Sequence, residues 1–289
     1  MDKQDDTSSQ PEPTKPESTK PEATEEAAGS VAPRLDLLFD EHEEEVSEDG
    51  QTVRRKGIYL LPNLFTLGGL FAGFYGVIAG MRGDFESAPI AIFAALVLDG
   101  LDGRIARITN TQSKFGAEFD SLADMVSFGV APALIMFSFA LGGLGKFGWS
   151  CAFIYVACAA LRLARFNTQI DTADKNFFTG LASPAAACVI VSTVWVLNDM
   201  GWVGETLPDE ASVLVSVLTA VTGLLMIANF PYHSFKGVDV RGRVPFAVMI
   251  ALVLVFGLVT LDPPRVLLAT SLLYALSGPV MAVLKSRKA

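Results

Sequence analysis

The stretch "LDGLDGRIARITNTQSKFGAEFDSLAD", residues 98–124, decides how the rest of the chain is read. It lies between long apolar runs, yet it holds Asp99, Asp102, Asp120 and Asp124, with Arg104 and Arg107 among them. Asp99 and Asp102 are three residues apart and Asp120 and Asp124 four, so each pair projects from one face of its own helix. Four carboxylates converging at low dielectric repel one another, and one or two bound divalent cations remove that repulsion. Oxygen-only ligation suits Mg²⁺, Mn²⁺ or Ca²⁺ rather than zinc. Two hard cations sharing carboxylates form a device for displacement at phosphorus. Gly103 and Ala106 follow Asp102 and are small enough for a bulky ligand or a neighbouring helix to approach. Arg107 is the natural partner for a phosphate on that ligand. Gly116 lies in the connection, where a larger side chain blocks access.

Outward from this stretch, apolar runs alternate with short polar connections, beginning with "GIYLLPNLFTLGGLFAGFYGVIAG" at 57–80. Each is about as long as a helix needs to cross a hydrocarbon core of roughly 30 Å. The runs fall near 58–80, 87–107, 119–142, 148–166, 178–198, 211–230, 244–261 and 265–284. They predict an all-α integral membrane protein of about eight transmembrane helices, because helices satisfy their own backbone in lipid. With the N-terminus inside, the connections put fifteen Lys and Arg on the inner side and only Arg82, Lys146 and Arg265 outside. That asymmetry places both termini in the cytoplasm. The four carboxylates then meet at one depth, near the cytoplasmic face of the plasma or inner membrane of a prokaryote.

Residues 1–50 carry 16 acidic and 4 basic residues, so the low isoelectric point belongs to them and not to the apolar part. Rich in Pro, Glu, Ser, Thr and Lys, this stretch buries too little surface to offset its ordering entropy. We expect a disordered acidic tail over 1–52 and a transmembrane domain over 53–289. The tail has neither the basic start nor the apolar core of a cleavable signal peptide. Cys151, Cys158 and Cys188 sit in apolar runs and read as small buried hydrophobes. The expected surroundings are a lipid bilayer, with no nucleic acid.

Residues 99–124 resemble the signature of the CDP-alcohol phosphatidyltransferases, D-x2-D-G-x2-A-R-x8-G-x3-D-x3-D, at all eight fixed positions. The resemblance implies a membrane-embedded helical fold that displaces CMP from a CDP-linked lipid, with a hydroxyl as nucleophile. It implies that Asp99, Asp102 and Asp120 ligate divalent metal, Mg²⁺ or Mn²⁺. Asp124 completes a second metal site and serves as general base. Gly103, Ala106, Arg107 and Gly116 line the CDP site. Apart from the resemblance, Lys114 is a candidate phosphate contact and equally suits one more positive charge on the inner side. "PNLFTL" at 62–67 resembles the family's PNxxT element, which makes Asn63 and Thr66 nucleotide contacts. The family also implies a homodimer.

The acceptor is read from later segments. "ALRLARFN" at 160–167, "FFTGLASPAAA" at 177–187 and "PYHSFKG" at 231–237 resemble the branch that uses CDP-diacylglycerol and L-serine. Ala182 stands where that branch usually has proline, which implies a less rigid loop. Arg162 and Arg165 are candidates to hold a serine carboxylate, with Asn167 close by; the same arginines also suit a purely topological role. Glycerol 3-phosphate, inositol phosphate or choline are the alternative acceptors, and a phosphorylated one demands a denser basic cluster. A different class of protein, an ion-coupled transporter, predicts paired repeats with broken helices, which the chain lacks. An aspartyl intramembrane protease needs two aspartates and a Gly-x-Gly-Asp setting that the sequence does not contain.

Overall fold

The structure, a computed structural model, describes residues 43–48, 51–56, 60–108, 113–169, 177–203, 206–233, 250 and 257–286. A hairpin comes first: β1 (Glu43–Glu48) pairs antiparallel with β2 (Gln51–Lys56). Its register runs from Glu43 opposite Lys56 to Glu48 opposite Gln51. The boundary expected at 52 falls within this hairpin, and residues 1–42 lie outside the described residues. The helices follow as α1 (Leu60–Met81), α2 (Ser87–Ile108), α3 (Lys114–Leu144), α4 (Lys146–Gln169), α5 (Ser183–Asp199), α6 (Asp209–Ile227) and α7 (Pro263–Ser286).

Among the described residues, five helices are long and apolar enough to cross a membrane: α1, α3, α4, α6 and α7. The helix α2 matches them in length but carries Asp99, Asp102, Arg104 and Arg107. At 17 residues α5 is shorter. The span expected at 178–198 starts late because a strand precedes it. Phe177–Thr179 (β3) pairs with Pro231–His233 (β4), and Gly180 then takes a φ of +87° that L side chains avoid. The helix resumes at Ser183, with Pro184 in its first turn. The span expected at 244–261 falls largely outside the described residues, although 257–261 is helical.

Packing around the charged stretch follows from a stripe of glycines. Gly69, Gly73, Gly76 and Gly80 recur at helical spacing along one face of α1, a pattern that lets backbones approach within lipid. A Cβ on Gly76 would stand 3.2 Å from the Ala88 carbonyl oxygen of α2, and one on Gly73 would stand 2.8 Å from Ser127 Cα of α3. The Ser127 hydroxyl donates to the Gly69 carbonyl oxygen at 3.2 Å across the same crossing. The opposite face of α1 exposes Leu64, Leu67, Phe71 and Phe74, as a lipid-facing surface should. Gly73→Ala is expected to cost about 1–3 kcal/mol by forcing α1 off α3. Thermal unfolding in detergent measures it, and an unchanged Tm would mean that the crossing has room to spare.

The most enclosed helix is α5, whose residues from Ala186 to Val196 are mostly buried among its neighbours. On α6 the hydroxyls of Ser216, Thr219 and Thr222 each donate to a carbonyl one turn back at 2.7 Å, which satisfies them without water. Tyr155 of α4 donates its hydroxyl to the Phe128 carbonyl oxygen of α3 at 3.0 Å. Between α1 and α2, Asp84 accepts from the Ser87 backbone N–H at 3.0 Å, and that bond holds its carboxyl below the usual carboxylate range.

The ends of the bundle differ in character. At one, Arg265 of α7 pairs with Asp199 of α5 at 3.8 Å and Asp262 at 2.8 Å. Exposed Trp202 follows α5, and Trp149 stacks on Phe153 where α4 begins. The aspartates gather at the other end.

Candidate active site

The last turns of α2 and the first turns of α3 build the site. Ser113 starts α3 by accepting from the Gly116 backbone N–H at 3.0 Å. Gly116 therefore lies inside the first helical turn rather than in the connection where it was expected. A Cβ there would stand 3.2 Å from Ser113 Oγ and 3.3 Å from Asn63 Oδ1, so the glycine leaves room beside half-buried Asn63.

One carboxylate oxygen from each of Asp99, Asp120 and Asp124 lies within 4.8 Å of the other two. All three residues are half-buried. Carboxylates this close together repel one another unless a proton or a cation lies between them. The donor set is all oxygen, the chemistry of a hard divalent cation, so these residues fit the metal that the sequence implies.

Asp102 stands apart from that trio. It is 5% exposed, and its Oδ2 accepts from the Thr66 hydroxyl at 2.8 Å. A separation of three residues leaves a rotation of about 60° around a helix. That offset turns Asp102 toward α1, whereas Asp99 meets α3. Thr66, Asp99, Asp102, Asp124 and Ser127 nonetheless line one small cavity. Thr66, expected at the nucleotide, is thus committed in this structure to a carboxylate.

The other expected residues distribute as follows. Gly103 and Ala106 are half-buried in the last turns of α2, and exposed Lys114 opens α3. The side chain of Arg107 lies outside the described residues. Arg162 of α4 donates through Nη1 to Ser183 Oγ at 2.7 Å and lies within electrostatic reach of Asp124, Tyr274 and Tyr155. Arg165 Nη1 reaches the carbonyl oxygen of Ile227, the last residue of α6, at 3.5 Å. Asn167 Nδ2 donates to Ser121 Oγ at 2.9 Å, between Asp120 and Asp124 on α3. The end of α4 is thereby tied to α3, α5 and α6 around the carboxylates.

Sequence reasoning passed over Ser183, Ser121 and Tyr274. The Ser-Pro pair at 183–184 is a legible helix start, but nothing local says that its hydroxyl faces an arginine. Tyr274 comes from the last helix and has no local signal at all.

Comparison with known proteins gives the family. The CDP-alcohol phosphatidyltransferase family model matches residues 59–277. A CDP-diacylglycerol–serine O-phosphatidyltransferase of Helicobacter pylori is 40% identical over 199 residues, covering 69% of this chain and 82% of that protein. One from Mycobacterium leprae is 31% identical over 222 residues, covering 74% and 71%. Another from the archaeon Methanocaldococcus jannaschii is 34% identical over 159 residues, covering 55% and 70%. A match across the described helices, on a bundle that groups three of the four signature aspartates, has one meaning: the chain belongs to the CDP-alcohol phosphatidyltransferase family and is an enzyme of that transferase class.

Proposed function

We propose that this enzyme makes phosphatidylserine from CDP-diacylglycerol and L-serine. The serine hydroxyl attacks the β-phosphorus, the phosphorus that carries the diacylglycerol. A new P–O bond forms to serine, the bond to the bridging pyrophosphate oxygen breaks, and CMP leaves with the bonding pair. Asp124 takes the hydroxyl proton, which general base catalysis makes worth about 10²–10⁴-fold in rate. Asp99, Asp102, Asp120 and Asp124 would hold divalent cations, Mg²⁺ or Mn²⁺. Such ions, when bound, neutralise charge on the reacting phosphates. Gly103, Ala106, Arg107, Gly116, Lys114 and Asn63 are assigned to the CDP moiety. The site faces the cytoplasm, in keeping with the basic residues on that side, and the enzyme is a homodimer.

The observation that carries the serine assignment is Arg162. Serine, unlike a neutral alcohol, brings a carboxylate to the site. A half-buried guanidinium within electrostatic reach of Asp124, with one donor already engaged by Ser183, supplies the matching charge. Arg165 and Asn167 complete the acceptor side. The test is CMP release by purified enzyme in detergent, supplied with CDP-diacylglycerol, Mn²⁺ and one alcohol at a time. Release with L-serine alone is expected. Release with glycerol 3-phosphate or inositol phosphate instead would retain the carboxylate site and discard the acceptor assignment.

A further inference from the structure

Of the four signature aspartates, Asp102 is the least exposed to solvent, at 5%, and it stands outside the close group of Asp99, Asp120 and Asp124. It does not stand alone. Thr66 is itself 5% exposed; its hydroxyl donates to Asp102 Oδ2 at 2.8 Å and also approaches the Pro62 carbonyl oxygen at 3.3 Å. A hydroxyl has one proton to give, and the shorter, charge-assisted contact with the carboxylate is the better place for it. Both groups line the cavity that Asp99 and Asp124 also line.

We infer that Thr66 is a positioning residue for the metal site, acting through Asp102 rather than on the nucleotide. The inference rests on the proposed reading in taking Asp102 as a metal ligand. A carboxylate on a helix rotates freely about its last torsion unless a neighbour fixes it. The bond from Thr66 occupies one lone pair of Oδ2 and, together with the Gly103 backbone N–H that also bonds to this carboxylate, holds its plane in one orientation toward the cavity. The donor is carried by α1, whose glycine face packs against both aspartate-bearing helices. Thr66 therefore couples the seating of α1 to the geometry of the carboxylates. Hydrogen bonds of this kind to metal-binding carboxylates are typically worth about 10–100-fold in metal affinity.

The experiment is Mn²⁺ binding to the purified, metal-stripped full-length enzyme, followed by electron paramagnetic resonance without substrate. Thr66→Val keeps the shape and removes the donor; Thr66→Ser keeps the donor. Valine is expected to weaken Mn²⁺ binding at least tenfold, and serine to stay within about threefold of wild type. In an Asp102→Asn background, adding Thr66→Val is expected to change Mn²⁺ binding no further. Wild-type affinity in Thr66→Val, or an undiminished loss in the Asp102→Asn background, would overturn the inference. So would unchanged Mn²⁺ binding with a raised KM for CDP-diacylglycerol, which would return Thr66 to the nucleotide. Should valine not fold, Thr66→Ala enters the same comparison. Wild-type enzyme that binds Mn²⁺ but releases no CMP would refute the proposed reaction instead, leaving the metal measurement intact.

Discussion

Replacing Asp124 by asparagine is expected to lower CMP release about a thousandfold while the protein remains folded. Asparagine keeps the shape and one oxygen, so packing around residue 124 changes little. It removes the capacity to accept the proton of the incoming hydroxyl, and it removes one negative charge from the group formed with Asp99 and Asp120. Loss of that charge relieves repulsion, so the melting temperature in detergent should hold or rise. A folded protein with rate lost and stability kept is the signature of a group retained for chemistry. Near wild-type CMP release by the asparagine variant would remove Asp124 from the role of base.

Arg162→Met should show itself in the choice of acceptor. Methionine preserves much of the apolar stem and deletes the guanidinium that meets Ser183 and lies within electrostatic reach of Asp124. Losing a charge-assisted pair to a substrate carboxylate is expected to reduce kcat/KM for L-serine about 100-fold, which corresponds to about 2.7 kcal/mol. The KM for CDP-diacylglycerol should move only a few-fold. Ethanolamine, which is serine without its carboxylate, separates this from general damage. Wild-type enzyme should prefer serine strongly, and the variant should treat the two nearly alike. An equal loss with both acceptors would make Arg162 a structural residue rather than a determinant of specificity.

Much of the fold and site is legible before any coordinates, for reasons that can be named. The aspartates announce themselves because charged side chains are costly inside a membrane and because helical periodicity turns spacings of three and four into shared faces. Helices such as α1 and α4 are visible as apolar runs long enough to cross lipid. What the sequence leaves hidden depends on contacts between distant segments. The turn of Asp102 toward Thr66 comes from the seating of α1 against α2. The late start of α5 comes from β3 pairing with β4, whose partner strand lies beyond α6. Gly116 reads as loop until Ser113 is seen to cap the helix ahead of it. Ser183 and Tyr274 belong to other helices, and only the assembled bundle brings them near Arg162.

The most direct test of the central claim follows the oxygen of the acceptor. Serine labelled with oxygen-18 in its hydroxyl is supplied with CDP-diacylglycerol and Mn²⁺, and the products are weighed by mass spectrometry. Attack of that hydroxyl on the lipid-bearing phosphorus predicts labelled phosphatidylserine and unlabelled CMP. Phosphatidate together with a labelled cytidylyl-serine would mean attack at the other phosphorus, and unlabelled phosphatidylserine would mean that the serine carbon–oxygen bond breaks. Either result would contradict the mechanism proposed for these aspartates.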